Sequence, residues 1–281
     1  MPDSTVPPPD PIAVVIPVHN AADRITPLLT DWDGELSKLG RDYAIVVVND
    51  GSTDGTGPAV AAVAGRNPRI TVLSHEKRQG FGACLRVALP ACRHPLVAYV
   101  TADYPYRPGD LKKLLDRLDQ PCDVYGVMKP PEAVSGCRSG RPAPAFWRLV
   151  GKAYRAFCRV ALGSAVEPAP GWLGARDHFR SWVVWLTMGV PLVDVNSGLK
   201  VFRREVLDRF PIQSDGDFAH AEIFAKLTFL TCLVAEEPLS PSADPVPPSW
   251  WADFWTVFKH PVFYHPLPDL SAPAPAPPPP A

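Results

Sequence analysis

The 281-residue chain has almost no excess of charge of either sign, because 28 lysines and arginines face 29 aspartates and glutamates. A net charge of −1 gives no basic field that would hold nucleic acid non-specifically, so we expect no nucleic-acid partner. Cys-x-x-Cys pairs are also absent among the six cysteines. This absence argues against a zinc site and against a disulfide-stapled secreted scaffold.

Long apolar runs are missing as well. No uncharged apolar stretch approaches the roughly 20 residues that span a bilayer, and residues 1–11 lack the basic start and apolar run of a signal peptide. The sequence therefore predicts a cytoplasmic protein, with a peripheral contact at the inner face of the membrane as one alternative.

Proline is the residue in excess, and half of the 36 prolines lie in three short stretches, at 1–11, 238–248 and 266–281. Proline cannot donate ladder hydrogen bonds, so such stretches are typical of extended, solvated chain. We expect disordered ends at 1–11 and 266–281, one folded domain at 12–237, and a proline joint with an aromatic amphipathic segment at 238–265.

Short strands and helices alternate along the first half of the domain. Runs rich in β-branched residues at 12–18, 44–48, 70–73 and 96–101 predict buried parallel strands, and helical spacing occurs between them. A further strand is predicted at 123–127 and a helix at 145–162. This alternation predicts an α/β fold, a mostly parallel sheet with helices on both faces. Residues 129–145 are rich in proline, glycine and serine and are predicted to form a long loop.

Polar groups follow each of the first four predicted strands, where open parallel sheets bind their ligands. The four stretches are Pro17-Val-His-Asn20, Asn49-Asp-Gly-Ser-Thr-Asp54, His75-Glu-Lys-Arg78 with Gly80-Phe-Gly82, and Thr101-Ala-Asp103.

These stretches, together with Asp194-Val-Asn-Ser-Gly-Leu-Lys-Val-Phe-Arg203, resemble family 2 glycosyltransferases of the GT-A fold. Within that family, the motifs most resemble those of polyprenyl-phosphate (dolichol-phosphate) mannose or glucose synthases. The resemblance covers residues 12–237. It implies transfer of a hexose, with inversion, from a nucleotide-diphosphate sugar to an acceptor, most often a polyprenyl phosphate.

The resemblance also implies which residues hold the donor: Pro17, Asn20, Asp50, Ser52, Lys77, Gly80, Gly82 and Asp103. The sequence differs from the usual family pattern at two places. Ala21 and Ala22 follow Asn20, where the family usually places a carboxylate, and Thr101 stands where the family's Asp-x-Asp motif has its first carboxylate. A Mg²⁺ or Mn²⁺ ion would therefore depend on Asp103 alone.

On the acceptor side the resemblance implies Asn196, Ser197, Gly198 and Lys200, and the catalytic set is Asp103, Lys200, Arg203 and Glu222. A phosphate acceptor is already ionised and needs positioning, whereas a sugar hydroxyl needs a general base, for which Glu222 or Asp217 is the candidate. A third alternative is a degenerate relative that binds nucleotide sugar without catalysis, because Thr101 and Ala21 replace carboxylates. The aromatic segment from Trp250 to Phe263 is predicted either to lie in a bilayer interface or to pack on the domain or a partner.

Overall fold

The computed structural model describes residues 9–102, 106–124, 126–138, 175–190, 192–239 and 251–264. Asp103, a helix predicted at 145–162, the tail at 266–281 and most of the 1–11 stretch lie outside the described residues.

The main sheet has seven strands in the order β3-β2-β1-β4-β8-β7-β9. Strands β1 to β4 are parallel to one another, β8 is antiparallel to both of its neighbours, and β9 is parallel to β7. Only β8 therefore runs against the rest, which confirms the predicted, mostly parallel sheet. The strands are β1 (Ile12–Val18), β2 (Tyr43–Asp50), β3 (Ile70–His75), β4 (Leu96–Val100), β7 (Ala133–Arg138), β8 (Leu199–Arg203) and β9 (Val234–Leu239).

Helices cover both faces of this sheet. They are α1 (Ile25–Leu36), α2 (Thr56–Ala64), α3 (Phe81–Ala88), α4 (Pro108–Leu118), α5 (Ala175–Met188), α6 (Arg204–Leu207), α7 (Ala219–Phe229) and α8 (Trp251–Lys259). Successive side chains of a strand point to opposite faces. Accordingly, Ala13 and Val15 of β1 pack with α3 and α7, whereas Ile12, Val14 and Ile16 pack with α1 and α4.

Two segments differ from the sequence prediction. The predicted strand at 123–127 is a separate hairpin, made of β5 (Cys122–Val124) and β6 (Val127–Lys129). The predicted loop at 129–145 contains β7, whose residues are all buried between β8 and β9. The small residues of β7 reflect close packing, because a Cβ at Gly136 would meet Leu199 O at 3.1 Å and collide with the Leu239 side chain.

Helix α8 packs on the domain with one face and exposes the other. Phe254 and Val257 are buried, and the Phe254 ring meets the Phe218 ring at 5.6 Å. Trp251, Trp255 and Phe258 are each more than two-fifths exposed. Within the described parts of the chain, no helix has both the length and the hydropathy that a membrane crossing requires.

Candidate functional site

The ends of four parallel strands and the start of β8 meet at one edge of the sheet. Because β8 is antiparallel to β4, its first residue, Leu199, pairs with Val100 at the carboxyl end of β4. The Thr101 amide then donates to the Gly198 carbonyl at 3.0 Å. The structure thus places residues 194–198 next to the fourth strand end. They are here called the acceptor loop, because they include Asn196, Ser197 and Gly198, three of the four residues predicted on the acceptor side.

The ends of β1 and β2 are joined by side chains of the two loops that follow them. The Asn20 amide donates to Ser52 Oγ at 3.1 Å, and Asn20 Oδ1 accepts from the Thr53 amide at 2.9 Å. The Ala21 amide donates to Thr56 Oγ1 at 2.7 Å. Pro17 is half-buried below this junction and Asn20 is exposed on it, so Pro17, Asn20 and Ser52 do lie together.

Asp54 ties the loop after β1 to the start of α2. The Ala22 amide donates to Asp54 Oδ2 at 3.2 Å, and the Thr56 amide donates to Asp54 Oδ1 at 2.9 Å. The Thr56 hydroxyl and amide hydrogen bonds hold the pKa of Asp54 below its ordinary value. The sequence alone did not indicate this tie between the loops.

Asp50 holds the loop that follows β3. Its carboxylate lies 2.8 Å from His75 Nδ1 and accepts from the amides of Gln79 at 2.8 Å and Gly80 at 2.9 Å. Burial would raise the pKa of Asp50, but the hydrogen bonds from Gln79, His75 and Gly80 outweigh it and lower the pKa. Asp50 is 5% exposed and its carboxylate is committed to these partners, so it fixes residues 75–80 against the end of β2 and is not free to accept from a base or ribose.

Lys77 and Arg78 lie directly over the turn that ends β2. Gly51 has a φ of +60°, and a Cβ there would be closer than 3.0 Å to the Lys77 and Arg78 backbone. Both basic side chains are exposed, and within the described part of the chain no hydrogen bond or ion pair engages either of them. Two uncommitted cations therefore lie at the carboxyl-end edge.

Gly80 and Gly82 have a packing role that the sequence did not indicate. A Cβ at Gly80 would lie 2.5 Å from Asp215 O, and a Cβ at Gly82 would collide with Ser214 O. The Ala83 amide, at the start of α3, donates to Asp215 O at 3.1 Å. The prediction that Gly80 and Gly82 hold the donor therefore needs correction, because residues 214–215 cover the start of α3.

Lys200 is buried beneath the acceptor loop and donates a hydrogen bond to its backbone. Its side chain is fully buried, and Nζ donates to Val195 O at 2.6 Å and lies 3.4 Å from His220 O. Burial lowers the pKa of Lys200 to about 7. In this arrangement the amine cannot touch an acceptor, so the structure gives Lys200 a positioning role in place of the predicted catalytic one.

Glu222 is likewise buried and fully engaged. It has no exposed surface and accepts from the Gln213 amide at 2.7 Å, the Ser214 amide at 2.8 Å and Lys226 Nζ at 2.6 Å. A carboxylate bound in this way does not reach a hydroxyl acceptor. The alternative base, Asp217, is half-buried just before α7.

Arg203 lies at the opposite end of the strands, where β4 begins. It pairs with Leu96 at the start of β4, its Nε lies 3.4 Å from Pro131 O, and its nearest carboxylate is Asp10 at 3.7 Å. The prediction of a catalytic role for Arg203 does not agree with this placement.

A buried ionic group supports the acceptor loop. Arg138 at the end of β7 donates twice to the Asp194 carboxylate, from Nε and Nη2, each at 2.7 Å. Glu236 accepts from the amides of Val193 at 3.0 Å and Asp194 at 2.9 Å, and its burial raises its pKa to about 7. The sequence did not indicate that Arg138 and Glu236 support this loop, because Arg138 lies in a segment predicted as a loop and no motif marks Glu236.

The rest of the acceptor loop is buried too. Asn196 is 2% exposed and Ser197 is 0% exposed, with Ser197 Oγ 3.0 Å from the Tyr106 hydroxyl. Gly198 is buried beside Thr101. In this arrangement Asn196, Ser197 and Gly198, like Lys200, lie inside the protein, so the prediction that these residues contact an acceptor does not agree with their burial.

The described residues do not form a site that suits Mg²⁺ or Mn²⁺. Asp50, His75 and Cys84 have ligand atoms within 4.8 Å of one another. However, a thiol and an imidazole are poor ligands for Mg²⁺, and the Asp50 oxygens already accept backbone amides. Burial, with the nearby Asp50 charge, also raises the pKa of Cys84 and keeps the thiol protonated.

A mostly parallel sheet with polar groups gathered at its carboxyl-end edge defines an open α/β protein, a class that binds ligands at that edge. The glycosyl transferase family 2 profile matches residues 13–182, so this chain belongs to glycosyl transferase family 2. The family predicted from the sequence motifs is confirmed.

Curated relatives are lipid-phosphate sugar transferases. The undecaprenyl-phosphate 4-deoxy-4-formamido-L-arabinose transferase of Klebsiella pneumoniae is 26% identical over 44% of this chain and 38% of its own. The dolichyl-phosphate beta-glucosyltransferase of Trichomonas vaginalis is 34% identical over 32% of this chain and 28% of its own. The matched part thus spans less than two-fifths of the length of these relatives.

Solved structures share the fold. Glucosyl-3-phosphoglycerate synthase from Mycobacterium tuberculosis, in complex with Mn²⁺, UDP and glucosyl-3-phosphoglycerate, matches with a TM-score of 0.55 and 18% identity, over 89% of this chain and 76% of that one. Another structure of the synthase holds Mg²⁺ and UDP. At this identity the likeness shows the fold alone, and it confirms the predicted GT-A architecture.

Proposed function

We propose that this protein transfers a hexose from a nucleotide-diphosphate sugar to a polyprenyl phosphate, with inversion at the anomeric carbon. The proposal rests on family membership and on the acceptors in the names of the curated relatives. The observation that carries it is the Thr101–Gly198 hydrogen bond, at 3.0 Å, which brings the acceptor loop to the donor strand ends.

On the donor side, the nucleoside would lie over the junction of β1 and β2, against Pro17, Asn20 and Ser52. The diphosphate would lie toward the two uncommitted cations, Lys77 and Arg78. Positive charge placed at the leaving diphosphate stabilises the transition state as the bond to the sugar breaks. A Mg²⁺ or Mn²⁺ ion, as in the mycobacterial structures, would add charge there and stays a prediction that depends on Asp103.

On the acceptor side, a phosphate oxygen would attack the anomeric carbon from the face opposite the diphosphate. One carbon–oxygen bond forms as the other breaks, and no proton has to be removed from an ionised phosphate. The burial of Glu222 argues against a sugar hydroxyl activated by this carboxylate. A hydroxyl acceptor would then need the half-buried Asp217 as its base.

The lipid acceptor would require the protein to approach a membrane. The exposed aromatic face of α8 (Trp251, Trp255, Phe258) is one surface for such a peripheral contact, and α5 exposes Phe179, Trp182 and Leu186 on another. Aromatic amphipathic faces of this kind lie in bilayer interfaces. We propose a cytoplasmic protein that contacts the inner face of the membrane.

The proposal is tested by incubating the purified chain with UDP- or GDP-hexoses and undecaprenyl or dolichyl phosphate in detergent, then extracting the lipid product. The double variant K77A/R78A should lower kcat/KM about 100-fold, whereas Arg66→Ala, an exposed arginine after α2, should leave it unchanged. Transfer to a sugar hydroxyl but not to lipid phosphate would favour the hydroxyl alternative. Nucleotide binding without any transfer, with or without Mn²⁺, would favour the non-catalytic one.

A further inference from the structure

Residues 211–216, here called the bridging loop, connect three helices that are distant in sequence. The loop precedes α7, covers the start of α3 and contacts both ends of α8. Its backbone is held from each of these sides by named hydrogen bonds.

On the α7 side, buried charged side chains bind the backbone of the bridging loop. The buried Glu222 carboxylate accepts from the amides of Gln213 and Ser214 and from Ser214 Oγ at 2.6 Å. Lys226, one turn later, donates to Pro211 O at 2.6 Å. Buried, charge-assisted bonds of this kind fix the loop relative to α7.

The α3 side ties the loop to the donor half. Arg86 donates to Ile212 O at 3.2 Å and Ser214 O at 2.9 Å, and it forms an ion pair with Asp215. The close approach of Gly82 to Ser214 leaves no room for a side chain between the two backbones. A shift of the loop must therefore move the start of α3.

The α8 side ties the loop to the aromatic helix. Asp253, in the first turn of α8, accepts from the Gly216 amide at 2.9 Å. Gln213 donates to His260 O at 3.0 Å and accepts from the Val262 amide at 2.7 Å. The loop is thus bound to α8 at its start and just after its end.

Gly80 completes the connection. Its Cα faces Asp215 O, while its own amide donates to the buried Asp50 carboxylate at 2.9 Å. The path from α8 to the donor-side segment 75–82 is therefore continuous: Asp253 and Gln213, the bridging loop, Gly80, then Asp50.

We infer that Asp253 and Gln213 are positioning residues, which order the donor-side segment 75–82 through the bridging loop. Events at the exposed face of α8 would then alter donor binding without any contact between α8 and the donor. The kinetic part of this inference rests on the proposed function, whereas the structural part does not.

Hydrogen exchange of the full chain, without ligand, tests the structural part. Asp253→Ala should speed exchange of the amides in 79–84 about two- to tenfold, which is the effect of one lost hydrogen bond. Asp253→Asn keeps an acceptor for the Gly216 amide and should restore slow exchange. Lys259→Ala, an exposed residue of the same helix, should change nothing in 79–84.

Gln213→Ala removes the second tie without altering the first turn of α8, so the test does not depend on one variant folding. Faster exchange at 211–216 with unchanged exchange at 79–84, in both variants, would overturn the inference. With donor, Asp253→Ala should raise the KM for nucleotide sugar more than it lowers kcat, and Asp253→Asn should recover it. A wild-type chain that binds no nucleotide would refute the proposed function while leaving the exchange result to decide the coupling.

Discussion

Gly82→Ala should destabilise the protein, although alanine normally favours a helix. In an unconstrained helix interior this substitution stabilises by about 0.5–1 kcal/mol. At Gly82, however, the new Cβ would collide with Ser214 O, lie 2.9 Å from the Ser214 carbonyl carbon and lie 3.0 Å from the Ala219 Cβ.

The Ser214 backbone cannot move away cheaply, because Glu222 binds both its amide, at 2.8 Å, and its hydroxyl, at 2.6 Å. Overpacking of this kind costs about 1–3 kcal/mol. Subtracting the helix gain of about 0.5–1 kcal/mol leaves a net loss of up to about 2.5 kcal/mol in the free energy of unfolding.

The assay is urea unfolding of the wild type and two alanine variants. Gly34→Ala is the matched control, since Gly34 is an exposed glycine inside α1 with nothing within 4 Å of a built Cβ. It should raise the midpoint while Gly82→Ala lowers it, with similar m-values. A Gly82→Ala midpoint at or above the wild type would refute the packing argument.

Two further predictions follow from burial and placement. Lys200→Met should remove a pH-dependent contribution to stability: the pKa of Lys200 is lowered to about 7 by burial, whereas the unfolded lysine titrates near 10.4. The cost of burying the charge is full below pH 7 and is relieved as the pH rises, by at most about 1.4 kcal/mol per pH unit. In urea unfolding from pH 7 to 9, the free energy of unfolding of the wild type should increase relative to that of Lys200→Met. Parallel pH profiles of the two proteins would contradict this. Arg203→Gln should leave kcat/KM for sugar transfer within about twofold of the wild type, because Arg203 pairs with Leu96 at the far edge; a tenfold loss would contradict that placement.

The parallel half of the sheet was predictable from the sequence, because strands buried on both faces appear as continuous apolar runs. Ile12–Val18 and Tyr43–Asp50 are such runs, and their polar ends do gather at one edge. Strand β7 was not predictable in this way. Its serine, glycine and cysteine are small because β8 and β9 pack closely on them, and those neighbours come from distant parts of the chain.

The site was predictable as a location more than as a set of roles. The motifs predict catalytic roles for the charged residues Lys200 and Glu222, yet both are buried and bound to backbone partners, Val195 O and the Ser214 amide. Arg203 follows the acceptor loop closely in sequence, but β8 carries it about 13 Å from Leu199 at roughly 3.3 Å per residue. Nearness along the chain therefore did not indicate nearness in space.

Strand β8, the reversed strand of the described sheet, brings together parts of the chain that are distant in sequence. Because β8 is antiparallel to β4, residues 194–198 lie just before it, at the same edge as the ends of β1 to β4. Under the function proposed above, substitutions in 194–198 would alter which acceptor is accommodated while every residue of the first four strands stayed the same. One reversed strand would thereby let acceptor preference diverge within a common donor framework.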